Sequence, residues 1–131
     1  MKRLSFLALL GASLFVPAIA SAECVAPGFN TSGSFCNGCR YEGSMSMSRD
    51  QTCERPYAPG AMGTGSFASL EFRGHRIIQR AKHGLAGVNG NVMAYAPAKG
   101  YVGKDDFTVE VDFRQGTQSG KFQVHWNVTV Q

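Results

Sequence analysis

The chain is short and only weakly basic. Its 131 residues leave room for one domain, and a formal net charge of +4 is too small to indicate a nucleic-acid-binding surface. Arg73, Arg76, Arg80 and Lys82 form the only local cluster of cations, which we interpret as a solvated strand surface. The composition therefore disfavours a nucleic-acid partner.

Residues 1–22 have the pattern of a Sec-type signal peptide. The cations Lys2 and Arg3 precede an apolar run from Leu4 to Ile19, and Ala20-Ser21-Ala22 places small residues at the cleavage positions. Cleavage would leave 109 residues and lower the formal charge from +4 to +2. The sequence thus predicts export to the periplasm or beyond.

Two alternatives to cleavage, a membrane anchor and a lipid anchor, are disfavoured. The apolar run is shorter than the roughly 20 residues that a membrane-spanning helix needs. Glu23 precedes Cys24, whereas a lipoprotein site requires a small residue there. We therefore expect no membrane span after the signal is removed.

Four cysteines, Cys24, Cys36, Cys39 and Cys53, lie in the first part of the exported chain. An even number in an oxidising compartment predicts two disulfides, each contributing about 2 to 4 kcal/mol. Residues 23–39 are rich in turn-forming residues and read as an irregular arm that the disulfides fasten. Three pairings are open, and we disfavour a bond between Cys36 and Cys39 because so short a loop is strained.

The spacing Cys36-Asn37-Gly38-Cys39 also occurs in thiol-redox pairs and in half zinc sites. A redox pair needs its first cysteine at the N-terminus of a helix, and no helical pattern follows it here. Export favours disulfides over zinc. Structural disulfides are therefore the preferred interpretation, with zinc binding and thiol-redox catalysis as alternatives.

Residues 40–131 alternate between apolar and polar side chains in several short segments, which predicts β-strands. The predicted strands are Tyr41 to Ser48, Ser66 to Phe72, His75 to Arg80, Leu85 to Val88, Val92 to Tyr95, Phe107 to Phe113 and Phe122 to Val130. A long connection from Arg49 to Gly65 follows the first of them, and Asn89-Gly90 predicts a tight hairpin.

The fold class expected from this pattern is all-β. About seven strands in some 90 residues indicate an antiparallel immunoglobulin-like β-sandwich with a disulfide-tied N-terminal arm. The predicted interior residues are Met45, Met47, Leu70, Phe72, Ile77, Phe107, Val109, Val111, Trp126 and Val128.

Three motifs in the second half of the chain resemble a known family. They are Lys82-His83-Gly84, Tyr95-Ala96-Pro97 and the run from Gly100 to Phe107, which reads Gly-Tyr-Val-Gly-Lys-Asp-Asp-Phe. In this order they are similar to the P-x-H-G, Y-x-P and G-[FY]-x-G-x-D-x-F motifs of bacterial immunoglobulin-like and cadherin-like domains. The resemblance covers Ile77 to Val111 well and the last strand loosely. Ala81 stands where the family has its first proline, and the acidic linkers of tandem copies are absent.

The motif residues have structural roles that their chemistry predicts. Pro97, Gly100 and Gly103 allow a tight corner, and the Asp105 carboxylate can accept hydrogen bonds from backbone amides of that corner. Phe107 is expected to fill the sandwich, while Tyr95 and Tyr101 cover its end.

The resemblance implies a non-catalytic protein. Domains of this family serve mostly as spacers, adhesive modules or ligand-binding units at the cell surface, and a single copy favours a binding or accessory role. The partner would be a protein or an envelope glycan, contacted through exposed loops such as Arg49 to Gly65. No nucleophile motif accompanies His75, His83 or His125, so no catalytic residue and no cofactor are expected.

Metal binding is the main alternative function. Met45, Met47 and Met62 with the histidines could hold Cu(I), although alternating residues on one strand more often face a core. Asp105, Asp106 and Asp112 could bind Ca²⁺, but they lack the spacing of a calcium loop. The ligand, the oligomeric state and the compartment beyond export stay open.

Overall fold

The computed structural model describes residues 24–27, 36–56 and 70–131. The expected signal peptide, residues 1–22, lies outside the described residues. So do residues 57–69, which include Met62, the second half of the predicted connection and the start of the predicted strand Ser66 to Phe72.

The described residues form seven strands and no helix, so none of them belongs to a helix long and apolar enough to cross a membrane. The strands are β1 Arg40–Met47, β2 Cys53–Pro56, β3 Leu70–Gln79, β4 Gly84–Asn89, β5 Val92–Pro97, β6 Gly103–Gln115 and β7 Gln118–Val130. They make a four-stranded sheet in the order β1-β7-β6-β3 and a three-stranded sheet in the order β2-β5-β4. The prediction of an all-β sandwich of about seven strands is confirmed.

The core lies between the two sheets, and the two longest strands supply most of it. β6 and β7 pair along their whole length around a turn at Gly116, whose φ is 60°. Their inward residues alternate as predicted and are all buried: Phe107, Val109, Val111 and Phe113 on β6, and Phe122, Val124, Trp126, Val128 and Val130 on β7. Met93 and Tyr95 of β5 face them from the other sheet and are fully buried.

One pairing departs from the predicted antiparallel arrangement, because β1 runs parallel to β7. The four-stranded sheet is therefore mixed. Gly43 of β1 lies beside Trp126, and a Cβ atom at Gly43 would come within 2.7 Å of the indole ring. Only glycine leaves room for the tryptophan at this position.

Two strand predictions need correction. The segments Ser66 to Phe72 and His75 to Arg80 were expected to be separate strands, but β3 continues through Gly74 with a register shift between Phe72 and Gly74. A bulge of this kind bends a strand without ending it. The second error is β2, which lies inside the predicted connection Arg49 to Gly65; its four residues are too few to show alternation.

The predicted interior is largely correct. Eight of its ten residues are buried, whereas Phe72 and Ile77 on the edge strand β3 are half-buried. An edge strand is covered from one side only, which accounts for both exceptions. Met93 and Tyr95 were not predicted because the short strand β5 has no other large apolar residue on its inner face.

All four cysteines form disulfides, and one pairing contradicts the expectation. Cys36 is bonded to Cys39, with their Cα atoms 5.3 Å apart, although this pairing was disfavoured. A tight turn brings the two residues together: Gly38 has a φ of 81°, and the amide of Cys39 donates to the carbonyl of Cys36 at 3.2 Å. The turn is held on β7, where the amide of Gly38 donates to the Lys121 carbonyl at 2.7 Å.

The second disulfide, between Cys24 and Cys53, joins the arm to the sandwich. Val25 next to it exchanges two backbone hydrogen bonds with Ser46 of β1, at 2.9 and 2.8 Å. Cys53 begins β2 in the other sheet and is fully buried. This bond therefore connects the edges of both sheets and fastens the arm, as expected of the disulfides.

Removing the two disulfides in turn should have unequal effects on stability. The C24A/C53A variant opens a loop of 29 residues and should lose about 3.5 kcal/mol of unfolding free energy in urea. The C36A/C39A variant, with a separation of 3 residues, should lose about 2 kcal/mol. Alanine is used because Cys53 lies in the core. A larger loss in the C36A/C39A variant would contradict the loop-length argument.

Candidate functional site

Asp105 is a buried carboxylate at the start of β6 that accepts hydrogen bonds from four donors. The Tyr95 hydroxyl donates to it at 2.8 Å. The backbone amides of Lys82, His83 and Asp106 donate at 3.0, 2.9 and 2.9 Å. None of the three amides lies in the corner from Pro97 to Gly103 where the sequence placed the donors: Asp106 lies in β6, and Lys82 and His83 lie between β3 and β4. The carboxylate thus ties β6, β5 and the β3–β4 connection together.

The hydrogen bonds keep this carboxylate ionised. Burial by itself raises the pKa of Asp105, but the bonds from Lys82, Tyr95, His83 and Asp106 outweigh burial, so the pKa lies below its ordinary value. Burial, and then the hydrogen bond to Asp105 and its negative charge, raise the pKa of Tyr95. At neutral pH the pair is therefore a carboxylate and a neutral phenol.

The corner between β5 and β6 has the backbone conformation that its glycines allow. Gly100 and Gly103 have φ values of 78° and 140°, which disfavour larger residues. The amide of Gly100 donates to the Asp50 carboxylate at 2.8 Å, and Pro97 ends β5 opposite Gly84 of β4. The corner is thus held to the turn at Asp50 on one side and to β4 on the other.

The aromatic residues of the motif divide between core and surface. Tyr95 is fully buried and stacks on Phe107 with ring centroids 5.7 Å apart, so it lies deeper than its expected place at the end of the sandwich. Tyr101 is half-buried, donates its hydroxyl to the Lys104 carbonyl and stacks on His83 at 4.4 Å. His83 is exposed and therefore presents a flat ring to solvent.

A groove of about 620 Å³ lies beside this cluster, on the outer face of β6 and β7. Its lining residues other than Val128 are polar and include Lys82, His83, Lys104, Asp106, Asn127 and Thr129. The Lys104 ammonium donates to the Thr129 hydroxyl at 2.7 Å, and Asn127 is exposed. The side chains that line the groove therefore offer ammonium, amide, hydroxyl and carboxylate groups, most of them on the paired strands β6 and β7.

Under the groove, four side chains on the outer face form a hydrogen-bonded network. The Gln79 amide donates to Asp106 at 2.8 Å, and the Thr108 hydroxyl donates to the Gln79 oxygen at 2.7 Å. His125 Nδ1 lies 2.9 Å from Thr108 Oγ1, and its Nε2 lies 3.4 Å from Asp106 Oδ2. The alternation of β7 places His125 on the outer face of the sheet, yet its side chain is only 14% exposed because this network covers it.

The network has the residue types of a catalytic triad but not the arrangement. The Thr108 hydroxyl donates its proton to the Gln79 oxygen, so this proton does not point at His125 Nδ1. Thr108 is 2% exposed, which leaves no path for a substrate to its oxygen. Thr108 therefore lacks the access that a nucleophile requires.

The structure gives no support to the metal alternatives within residues 24–27, 36–56 and 70–131. No group of three or more histidine, cysteine and acidic side chains there is arranged to hold an ion. Met45 and Met47 face the core, at 1% and 4% exposure. A zinc site built from these cysteines would need free thiolates, and every cysteine is in a disulfide.

His75 also lies away from the groove. It is half-buried on β3, with its ring 6.3 Å from that of Phe72 in an edge-on arrangement. Burial lowers its pKa, opposed by a hydrogen bond to the Gly90 carbonyl and by the charge of Asp112. His75, His83 and His125 therefore occupy three different environments.

No protein-family model and no curated protein matches this chain. The resemblance to bacterial immunoglobulin-like and cadherin-like domains stays a prediction from the motif residues. The argument about function accordingly rests on the geometry of the groove and on the sequence.

Replacing Asp105 tests its structural role. The D105N variant cannot accept all four hydrogen bonds and should lose about 2 to 4 kcal/mol of unfolding free energy at pH 7. The folded-state pKa of Asp105 is lowered, so its stabilisation is present above the unfolded-state value of about 3.9 and is lost as the pH falls through the folded-state value. The difference between native protein and variant should therefore shrink below about pH 4.

Asp112 provides the control. Its side chain is 49% exposed and lies 3.7 Å from the Lys121 ammonium, so the D112N variant should change stability by less than about 1 kcal/mol. Urea unfolding at a series of pH values measures both variants. Equal losses for D105N and D112N at pH 7 would disprove the special role of Asp105.

Proposed function

We propose that this chain is an exported, non-enzymatic immunoglobulin-like domain that acts as a binding or accessory module at the cell envelope. Its binding surface is the polar groove on β6 and β7. The observation that carries the proposal is the groove itself, where polar side chains and an exposed aromatic ring surround a cluster fixed by the buried Asp105.

The order of the strands supports the immunoglobulin-like assignment. In immunoglobulin domains the third, sixth and seventh strands share one sheet, and the second, fourth and fifth share the other. The same division holds here for β3, β6 and β7 and for β2, β4 and β5. The first strand differs from the constant-type arrangement because β1 lies beside β7 instead of β2.

The sequence and the disulfides support export. Two disulfides are typical of proteins in an oxidising environment outside the cytoplasm. Residues 1–22 have the charge, the apolar run and the small residues of a signal peptide. Together these features fit the periplasm or the cell exterior.

The chemistry of the groove favours an envelope glycan as the ligand. Sugar hydroxyl groups both donate and accept hydrogen bonds, which suits the mixture of Lys104, Asp106, Asn127 and Thr129. The exposed ring of His83, backed by Tyr101, offers a flat surface for the apolar face of a sugar. The groove replaces the loop Arg49 to Gly65 as the proposed contact surface, because part of that loop forms β2.

Co-sedimentation with purified envelope polysaccharide tests the proposal. The native protein should sediment with the polymer, and the K82A/K104A/N127A variant should bind roughly tenfold more weakly because it loses three exposed polar groups. The matched control K99A/K121A/N91A removes the same charges and one amide outside the groove. It should bind like the native protein.

Two results would overturn the proposal. One is an equal loss of binding in both triple variants, which would indicate unspecific attraction to charge. The other is release of soluble sugar fragments by the native protein, which would indicate an enzyme.

A further inference from the structure

The edge of β4 differs from the other three sheet edges of the described residues. β1, β2 and β3 are edge strands that carry charged residues or proline: Arg40 and Glu42, Glu54 with Arg55 and Pro56, and Glu71 with Arg73 and Arg76. Such residues keep edges from pairing with other chains. β4, which reads Gly-Leu-Ala-Gly-Val-Asn, has neither charge nor proline and pairs only with β5 among the described strands.

We propose that β4 pairs antiparallel with β4 of a second copy of this chain, about a twofold axis at Ala86. The two three-stranded sheets would then join into one continuous six-stranded sheet. The proposal rests on β4, whereas the groove lies mainly on the outer face of the other sheet, with Lys82 and His83 just before β4 at its border.

The side chains of β4 are complementary to themselves in this register. Residues directly opposite in an antiparallel pair share one face of the sheet, so a twofold axis at Ala86 places Leu85 opposite Gly87 of the second copy. Leu85 is 80% exposed, and a Cβ atom at Gly87 would meet nothing within 4 Å. On the other face Val88 lies opposite Gly84, where the Ala96 carbonyl and the Tyr95 hydroxyl already occupy the position of a Cβ atom, so the complementarity rests on Leu85 and Gly87.

The neighbouring register is less favourable. A twofold axis at Gly87 would place Leu85 opposite Asn89, an apolar group against a polar one. In the proposed register the two copies of Leu85 are diagonal neighbours, about 7 to 8 Å apart and within reach of each other. Apolar contact between them removes from water the most exposed of the large apolar side chains in the described residues.

A second copy suits this edge better than a charged partner. With no charge on β4, no like charges oppose each other in the self-pair and a charged peptide would gain no ion pair. The contact involves six residues per copy, which is at the small end of protein interfaces. The dimer should therefore be weak and should form progressively as concentration rises.

Sedimentation velocity over a range of protein concentrations tests this pairing. The native protein should show a concentration-dependent dimer, and L85K should weaken it roughly tenfold or more, because two apolar contacts are lost and like charges become diagonal neighbours. Mixing equal amounts of L85K and L85E should restore the dimer, because the diagonal neighbours are then of opposite charge. V102K is the matched control. Val102 is 54% exposed and lies outside β4, so the V102K variant should dimerise like the native protein.

Circular dichroism should show native folding in every variant, because Leu85 and Val102 are exposed in the monomer. A native protein that stays monomeric at millimolar concentration would overturn the proposal. So would an equal loss of dimer in L85K and V102K, or a mixture of L85K and L85E that stays monomeric.

Discussion

The arrangement of this domain depends on the ionised carboxylate of Asp105. A buried charge is costly unless its oxygens are bonded, and here Tyr95 and three backbone amides satisfy them. Because Tyr95 belongs to the other sheet and two of the amides to the β3–β4 connection, one side chain fixes three separate parts of the chain. The groove depends on it directly, since Lys82 and His83 both line the groove and bind Asp105.

Successive side chains of β6 point to opposite faces of the sheet, which connects the buried Asp105 to the surface. Asp105 faces the interior and Asp106 faces outward, where it meets Gln79 and His125. The polar side chains on this outer face are hydrogen-bonded to one another and cover Thr108, which is only 2% exposed. A surface whose side chains are held in this way loses little conformational entropy on binding, which suits the proposed role as a binding module.

Two disulfides stabilise the N-terminal part of the described chain. The bond from Cys24 to Cys53 connects the sheet edges, and the bond from Cys36 to Cys39 closes a turn that continues onto β7. A domain of this size buries a modest core, and disulfides commonly compensate for that in exported proteins. The protein thus combines a hydrogen-bonded carboxylate and two disulfides with its apolar core.

The sequence by itself determined the features that depend on neighbours along the chain. The alternating residues of β6 and β7 predicted both strands and their buried faces, and Asn89-Gly90 predicted the hairpin between β4 and β5. The period of two and the geometry of a tight turn are local properties, so a short window of residues contains them.

The tertiary structure alone decided which distant groups meet. It paired Cys24 with Cys53, which are 29 residues apart, placed β1 parallel to β7, and brought to Asp105 two amides that lie 22 and 23 residues away. It also buried most of the His125 side chain, although the alternation of β7 places this residue on the outer face of the sheet. These outcomes depend on how strands far apart in the chain align with one another, and that alignment is set by the packing of the whole core.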